Sequence, residues 1–174
     1  MWEGPWCPDS VKSDAHSANL RLHRLSETPG TFFITKSLHP KKPVLDGEAR
    51  EIIVSALAFA VQKKRIYLRA FVVMPDHWHA LFALAEPWTL PTFIHHMMSY
   101  VGARTSLLLE SHKTSWQDGY YDTRVKTSKQ FEFVTYYIEQ NPVAKGLAEE
   151  ADEWDASSAK RRDLVTEPWP WLLD

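Results

Sequence analysis

The central part of the chain alternates between two hydrophobic patterns, one typical of strands and one typical of helices. Runs rich in β-branched and aromatic residues predict four strands, at 31–35, 66–73, 77–85 and within 116–125. Apolar positions that recur every three or four residues predict helices over 47–64, 90–109 and 127–140. Residues 1–29 show no sustained period and are rich in proline, serine and polar residues, which indicates a poorly ordered or wrapping arm.

Local end signals agree with these helices. Asp46 is a suitable N-cap for the first helix, and Thr127 with Gln130 forms a Thr-x-x-Gln capping box before the third. The Asn141-Pro142 pair predicts the end of that third helix, because the residue before a proline is pushed out of the helical region.

The order of the predicted elements, β-α-β-β-α-β-α, indicates an α+β protein. It matches the ferredoxin-like split βαβ arrangement, which is an antiparallel sheet with both helices of the two βαβ-like halves packed on one face. We therefore expect one domain over residues 30–147. The 1–29 arm precedes this domain, and an acidic C-terminal tail over residues 148–174 follows it.

The composition is that of an ordinary globular protein of one domain. The chain has 174 residues and a formal net charge of −2. Cys7 is the only cysteine, which excludes a disulfide framework and a zinc cage built from thiolates. The N-terminus lacks the basic start and apolar run of a signal peptide, and the longest apolar stretch, 52–61, is too short to cross a bilayer. We expect a cytoplasmic protein that does not associate with membranes.

Charge is distributed unevenly along the chain. Residues 31–145 carry 14 lysines and arginines against 10 acidic residues, whereas residues 146–174 carry 3 against 8. A mildly basic centre is compatible with a phosphate-rich partner, although many soluble proteins show a similar balance.

A pair of histidines follows the Pro75-Asp76 turn that separates the second and third predicted strands. His77 and His79 are two residues apart, which places both imidazoles on the same face of a strand. Such a pair can supply two nitrogen ligands to a divalent metal ion. Paired histidines in strands are also often surface or hydrogen-bonded residues, so a metal site requires a third ligand.

The third predicted helix offers both a ligand and a nucleophile. Tyr137 and Asn141 lie four residues apart and therefore share one helix face. Two imidazoles and an amide oxygen would form a mixed nitrogen and oxygen site suited to Mg²⁺ or Mn²⁺. Tyr136 and Gln140 have the same spacing on a face rotated by about 100°, so the helix pattern alone leaves the register open. A tyrosine near a helix end is also a common residue at the rim of a core.

Two segments of the chain together resemble the tyrosine HUH single-strand transposases of the IS200/IS605-like superfamily, especially the REP-associated branch. One is 74–79, Met-Pro-Asp-His-Trp-His, and the other is 137–147, Tyr-Ile-Glu-Gln-Asn-Pro-Val-Ala-Lys-Gly-Leu. The family pattern is a Met-Pro-(Asn/Asp)-His-hydrophobic-His strand and a helix end of the form Tyr-Ile-x-x-Asn-Pro-Val-(Arg/Lys). Residues 29–35 and 116–122 also resemble family segments, so the resemblance covers roughly residues 29–147.

The resemblance implies an HUH domain in which His77, His79 and Asn141 hold a divalent metal ion, Mg²⁺ or Mn²⁺. It also implies that Tyr137, rather than Tyr136, attacks a DNA phosphate and forms a 5′-phosphotyrosine intermediate. The chain would then be an endonuclease and strand transferase for single-stranded or hairpin DNA, acting at sites that flank a hairpin. The slight overall acidity departs from this picture, and the acidic tail around residues 149–155 would repel DNA if it lay near the groove.

Basic residues of the central region are candidates for contacts with the DNA backbone. They are Lys36, Lys63, Lys64, Arg65, Arg69, Arg124 and Lys126.

Two other functions stay open: a domesticated DNA-binding protein that no longer cuts, and a metal-dependent phosphodiesterase that uses water. The sequence also leaves open which hairpin is recognised and whether the protein is a monomer or a homodimer.

Overall fold

A computed structural model of the protein describes residues 30–40, 44–108 and 116–167, so the predicted 1–29 arm and residues 168–174 lie outside the described residues. Within these ranges, strands and helices follow one another in the predicted order. The strands are β1 (Thr31–Ser37), β2 (Ile66–Val73), β3 (His77–Leu84) and β4 (Tyr121–Val125). The helices are α1 (Gly47–Gln62), α2 (Leu90–Leu108) and α3 (Ser128–Ala144).

The four strands form one sheet in the order β2-β3-β1-β4, and every pair of neighbours is antiparallel. This is the ferredoxin-like arrangement that the order of elements predicts. The pairing sets Thr35 of β1 directly beside His79 of β3, and it sets Tyr121 of β4 on the other side of Thr35. Residues from different parts of the sequence therefore meet at one end of the sheet.

The helices cover both faces of the sheet. The apolar sides of α1 and α2 pack on one face, against side chains such as Ile34, Trp78 and Phe82. This agrees with the single helical face predicted for the split βαβ unit. Helix α3 lies on the opposite face, where Ile138 packs against Val72 and Leu81 of the sheet. The sheet is thus the middle layer of three, and α3 covers the face that carries His77 and His79.

The predicted helix starts are confirmed, but the predicted end of α3 is wrong. Asp46 Oδ1 accepts a hydrogen bond from Ala49 N–H at 2.8 Å, and Thr127 Oγ1 accepts one from Gln130 N–H at 3.2 Å. Helix α3 does not stop at the Asn141-Pro142 pair. It continues to Ala144 with Pro142 inside it.

The true end of α3 is set by a glycine. Gly146 has a φ of +68°, a left-handed conformation that glycine adopts without steric cost. Its N–H donates to Val143 O at 3.0 Å, and Leu147 N–H donates to Pro142 O at 2.9 Å. These two bonds form a Schellman motif, which closes a helix at its carboxyl end. As a result, Asn141 is an ordinary helical residue one turn beyond Tyr137.

Residues 149–167, described from the sequence as part of an acidic tail, lie along the outer edge of β2. Three backbone hydrogen bonds join them to that strand: Val73 N–H to Ala156 O, Ser158 N–H to Phe71 O and Thr166 N–H to Leu68 O, each 2.8 Å long. The segment therefore satisfies groups that an edge strand would otherwise expose. None of the described helices is long and apolar enough to span a membrane.

Candidate active site

Strand β3 presents its two histidines to the face covered by α3. Trp78 points to the opposite face and is fully buried in the core beneath α1 and α2. Because side chains alternate along a strand, this anchor holds His77 and His79 on the other face, as their spacing predicts. The turn that leads into β3 is closed by a hydrogen bond from Met74 N–H to His77 O, 2.8 Å long.

The two imidazoles converge through the same ring nitrogen. His77 Nε2 and His79 Nε2 are 3.1 Å apart. The other ring nitrogens bind protein groups: His77 Nδ1 donates to Asp76 Oδ1 at 2.6 Å, and a 2.8 Å hydrogen bond joins His79 Nδ1 to Thr35 Oγ1. Both Nε2 atoms therefore face the same small region of space.

Burial keeps His79 neutral. Its side chain is nearly inaccessible, at 2% exposure. Burial, followed by the nearby charges of His77 and Lys145, holds the pKa of His79 well below its usual value, and a hydrogen bond at Ile34 offsets this only in part. A neutral imidazole is the form that binds a metal ion. The protonation state of His79 thus suits a ligand.

Helix α3 brings one tyrosine to this pair and turns the other away. The ring centroid of Tyr137 lies 5.5 Å from that of His79 and 6.1 Å from that of Phe33, which it meets edge-on. Tyr136 is 67% exposed. The structure therefore brings together His77, His79 and Tyr137, and it leaves Tyr136 at the surface.

Asn141 supplies a buried oxygen on the same helix face as Tyr137. Its residue is 3% exposed, and its Oδ1 has no hydrogen-bond partner among the described residues. An unpaired buried amide oxygen is costly, and a bound ion or water molecule would satisfy it. The described residues contain no cluster of three or more histidine, cysteine, aspartate or glutamate side chains that could hold a metal ion. The amide oxygen of Asn141 belongs to none of these residue types, and it is the predicted third ligand to the histidine pair.

The spacing of the two imidazole nitrogens also fits a metal ion. Two ligands at right angles, each about 2.1 Å from an ion, are about 3.0 Å apart. The observed separation of the Nε2 atoms is 3.1 Å. The two atoms are also within hydrogen-bonding distance of each other, and they are close enough together for both to bind one ion.

Comparison with known proteins agrees with these features. The family model for IS200-like transposases matches residues 33–141. The chain belongs to the IS200-like transposase family. The REP-associated tyrosine transposase of Escherichia coli (strain K12) is 24% identical over 149 residues, covering 83% of this chain and 86% of the relative. A solved REP-associated tyrosine transposase bound to a REP hairpin superposes with a TM-score of 0.68 and 21% identity, covering 87% of this chain and 91% of that one.

These findings confirm the predicted family, the α+β fold and the assignment of the chain to a class of enzymes. IS200-like transposases generally depend on divalent metal ions. The histidine pair and the Asn141 oxygen are consistent with that dependence.

One predicted DNA contact of this IS200-like transposase does not fit its position. Lys36 is 6% exposed and lies on the face beneath α1 and α2, opposite to the histidines. Its ammonium group donates to Gln117 O and, at 2.6 Å, to Gly119 O. Burial lowers its pKa to about 8, although the charge of Asp118 acts in the opposite direction. Lys36 fixes the turn before β4, so it is not available to a phosphate.

The predicted cations at the start of β2 lie far from the histidines. Lys63, Lys64 and Arg65 lie between α1 and the start of β2. The first residue of β2 pairs with Leu84 at the end of β3, and Leu84 is seven residues from His77 at the start of that strand. Seven residues of strand correspond to roughly 23 Å. The Arg65 guanidinium stacks 4.7 Å from the Trp88 ring centroid. This part of the IS200-like transposase is a separate basic surface, flanked by aromatic rings.

The remaining predicted cations are dispersed. Arg69 forms a 3.0 Å ion pair with Glu167 and lies 5.6 Å from the Phe131 ring centroid. Arg124 lies on the edge strand β4, directly opposite Phe32 of β1. Lys126 is exposed just before α3. The structure therefore does not gather these side chains into a single patch around the histidines.

Three residues at the site were not identified from the sequence. Thr35 and Asp76 bind the histidine Nδ1 atoms, and the charge of Lys145 reaches His79. Asp76 had a detectable signal, because it directly precedes the first histidine. Thr35 had none, because only the pairing of β1 with β3 brings it to His79.

Proposed function

We propose that the chain is a metal-dependent endonuclease and strand transferase for single-stranded DNA, with Tyr137 as its nucleophile. The observation that carries this proposal is the placement of the Tyr137 ring against His79, whose Nε2 lies 3.1 Å from that of His77. Family membership supports the same activity. A lone tyrosine on a helix would support no function by itself.

Tyr137 performs the bond exchange in this proposal. Its phenol loses its proton, and the oxygen attacks the phosphorus of a DNA phosphate. A bond forms between the phenol oxygen and phosphorus while the bond from phosphorus to the 3′ oxygen breaks. The leaving oxygen takes up a proton and becomes a 3′-hydroxyl, so the 5′ phosphate stays on Tyr137. A free phenol titrates near pH 10 and is a weak nucleophile at neutral pH, so this step requires assistance.

We propose that His77, His79 and Asn141 hold the ion that gives this assistance. When bound, a divalent ion withdraws charge from the non-bridging phosphate oxygens and orients the phosphate for in-line attack. Mixed nitrogen and oxygen ligands favour Mg²⁺ or Mn²⁺. The protein keeps His79 neutral and the ligands in place, and the packing of α3 keeps Tyr137 beside them.

The second half of the reaction reverses the first. The 3′-hydroxyl of another strand attacks the phosphotyrosine, a new phosphodiester bond forms, and the phenol of Tyr137 is released. The number of phosphate ester bonds does not change, so strand joining requires no external energy source. Attack on an unpaired backbone explains why the proposed substrate is single-stranded.

We propose hairpin DNA as the partner, because a solved relative is bound to a REP hairpin. Among the predicted cations, the basic surface of Lys63, Lys64 and Arg65 is best placed to contact phosphates away from the cleavage site, since it is exposed or partly exposed. Arg69, Arg124 and Lys126 remain further candidates.

A DNA substrate also agrees with the predicted cytoplasmic location. We retain residues 30–147 as the proposed catalytic domain.

Trapping of a covalent adduct tests this proposal. A hairpin oligonucleotide with a single-stranded flank is labelled at its 3′ end, because the fragment that keeps the 5′ phosphate remains on the protein. With Mn²⁺, the wild type and Tyr136→Phe should give a labelled protein band, whereas Tyr137→Phe should bind the oligonucleotide without forming the adduct. Cleavage without an adduct would support the phosphodiesterase that uses water. Binding without cleavage would support the DNA-binding protein that does not cut.

A further inference from the structure

We propose that Thr35 and Asp76 are positioning residues that orient His79 and His77 as a paired metal-binding unit. This inference rests on the proposed metal site and names the groups that prepare it. Each histidine has its own partner, from a different part of the fold: Thr35 lies in β1, and Asp76 lies in the turn before β3.

The position of the proton on a neutral imidazole decides which ring nitrogen can bind a metal ion. A neutral ring carries one proton, on either Nδ1 or Nε2. A ring that binds a metal ion through Nε2 must therefore keep its proton on Nδ1, and a hydrogen-bond acceptor at Nδ1 favours that form and holds the ring in one orientation. Asp76 Oδ1 is such an acceptor for His77 at 2.6 Å. Thr35 Oγ1, 2.8 Å from His79 Nδ1, can accept that proton once an ion replaces the hydrogen bond between the two Nε2 atoms.

The geometry of the pair shows that both rings are oriented toward one point. The Nε2 atoms are 3.1 Å apart, and the ring planes are inclined by 69°. A free rotation of either ring about its side-chain bonds would separate the two nitrogens. The hydrogen bond between the Nε2 atoms opposes that rotation, and so do the two Nδ1 contacts, which hold the opposite side of each ring.

The two partners differ in how readily water can replace them. The Asp76 side chain is 74% exposed, so water can take its place at His77 when it is removed. His79 is 2% exposed, and Thr35 reaches it from within the sheet. Loss of the Thr35 hydroxyl would leave a buried ring nitrogen unsatisfied. We therefore expect Thr35 to contribute more to metal affinity than Asp76.

The experiment measures binding of Mn²⁺ to the full chain, from the electron paramagnetic resonance signal of the free ion. Thr35→Val keeps the shape of the side chain and removes the hydroxyl, and it should weaken Mn²⁺ binding by about 10- to 100-fold. Thr35→Ser restores a hydroxyl and should restore affinity. Asp76→Ala should cost about tenfold or less, and Asp76→Asn, which keeps an acceptor oxygen, should cost less than Asp76→Ala.

A matched control is available on the same strand. Thr31 lies on the same face of β1 as Thr35 and is fully buried, but it pairs with Ala83 at the other end of β3. Thr31→Val makes the same chemical change and should leave Mn²⁺ affinity unaltered. Nitrogen-15 NMR at one fixed Mg²⁺ concentration gives a second measurement, because it reports which ring nitrogen carries the proton. In the wild type the proton of His79 should lie on Nδ1, whereas in Thr35→Val a larger fraction of the molecules should hold no ion and carry the proton on Nε2.

The outcomes separate this inference from the proposed function. If the wild type binds Mn²⁺ and Thr35→Val and Asp76→Ala bind it equally well, the positioning role is wrong while the metal site stands. A failure of Thr35→Ser to restore affinity would also overturn the role of the hydroxyl. A wild type that binds no Mn²⁺ would overturn both the metal site and its positioning residues.

Discussion

The two faces of the sheet are both buried, but they differ in what they bury. Beneath α1 and α2 the face is mostly apolar, with Phe32, Ile34 and Phe82 each at most 2% exposed. Beneath α3 only part of the face is apolar, and the remainder buries His79 and Asn141. Burying polar groups costs free energy unless they are paired. Lys36, buried beneath α1 and α2, is paired with two carbonyl oxygens, whereas Asn141 Oδ1 has no partner among the described residues. The contrast supports the α3 face as the proposed site of the chemistry.

This difference has a consequence for mutations. Substitutions beneath α1 and α2 should lower stability and leave the chemistry of each folded molecule intact. Substitutions among the polar groups beneath α3 should lower the rate of the reaction and leave the stability of the fold nearly unchanged. The predictions below test this division, and a result that mixes the two classes would contradict it.

The largest expected effect is the loss of catalysis in Asn141→Ala. Removing a proposed metal ligand should lower the rate of adduct formation by more than about 100-fold, since even groups that only support a ligand contribute 10- to 100-fold. The free energy of unfolding should change by no more than about 1 kcal/mol, because the lost Oδ1 has no hydrogen-bond partner among the described residues and its burial carries a cost. Adduct trapping and thermal unfolding measure the two effects.

Asn141→Asp is the control for that substitution, because it keeps an oxygen at the same position. It should retain more activity than Asn141→Ala in Mn²⁺. If Asn141→Ala instead unfolds the protein and keeps its activity when folded, Asn141 belongs to the structural class and the division of faces fails there.

A loss of stability without a loss of catalysis is expected beneath α1. Leu57 is fully buried in the core, so Leu57→Ala should lower the free energy of unfolding by about 2–5 kcal/mol. Adduct formation per folded molecule should stay within about twofold of the wild type, since Leu57 belongs to the core on the side of the sheet opposite to His79. Leu107→Ala serves as the control, because Leu107 is 80% exposed and should change stability by less than about 0.5 kcal/mol. Denaturant unfolding gives the comparison.

The sequence predicted those features that are determined locally. Apolar periodicity and capping residues depend on neighbours within a few positions, which is why the strands and the N-caps Asp46 and Thr127 agree with the structure. The common direction of His77 and His79 follows from strand geometry alone. The family resemblance then selected Tyr137 over Tyr136, and the exposure of Tyr136 agrees with that choice.

Features that depend on distant contacts were not predicted. Lys36 resembled a surface lysine, but the turn before β4 folds over it and takes its ammonium group as a donor. Thr35 became a neighbour of His79 only through strand pairing. The end of α3 was predicted too early because the Asn141-Pro142 signal was weighed without Gly146, which sets the Schellman motif four residues later.

A smaller effect is expected where the C-terminal segment holds α3. Ser158 is fully buried, its Oγ accepts from Phe71 N–H at 3.1 Å, and it donates to Glu139 Oε1 of α3 at 3.0 Å. Ser158→Ala leaves the Phe71 N–H unsatisfied, which should cost about 1–2 kcal/mol of unfolding free energy. Ser99→Ala, at an exposed serine, is the control and should be near neutral. Equal stability of the two variants would mean that residues 149–167 act as the separable tail that the sequence suggested.

The smallest effect concerns charges that lie outside both buried faces. Lys63 and Lys64 are exposed, whereas Lys36 is buried with its ammonium group on two carbonyl oxygens. If the first two contact DNA phosphates, Lys63→Ala combined with Lys64→Ala should weaken hairpin binding only several-fold. It should also reduce the slope of log affinity against log salt concentration by about 1 to 2, because each lost phosphate contact releases roughly one counterion fewer.

Lys36→Met is the control: it removes one charge as well, but it should leave the slope unchanged, since a buried ammonium group displaces no counterion from DNA. Titrations of a labelled hairpin at several salt concentrations give both slopes. A slope that falls in Lys36→Met and not in the double variant would place the DNA on the other side of the molecule and restore the role first assigned to Lys36.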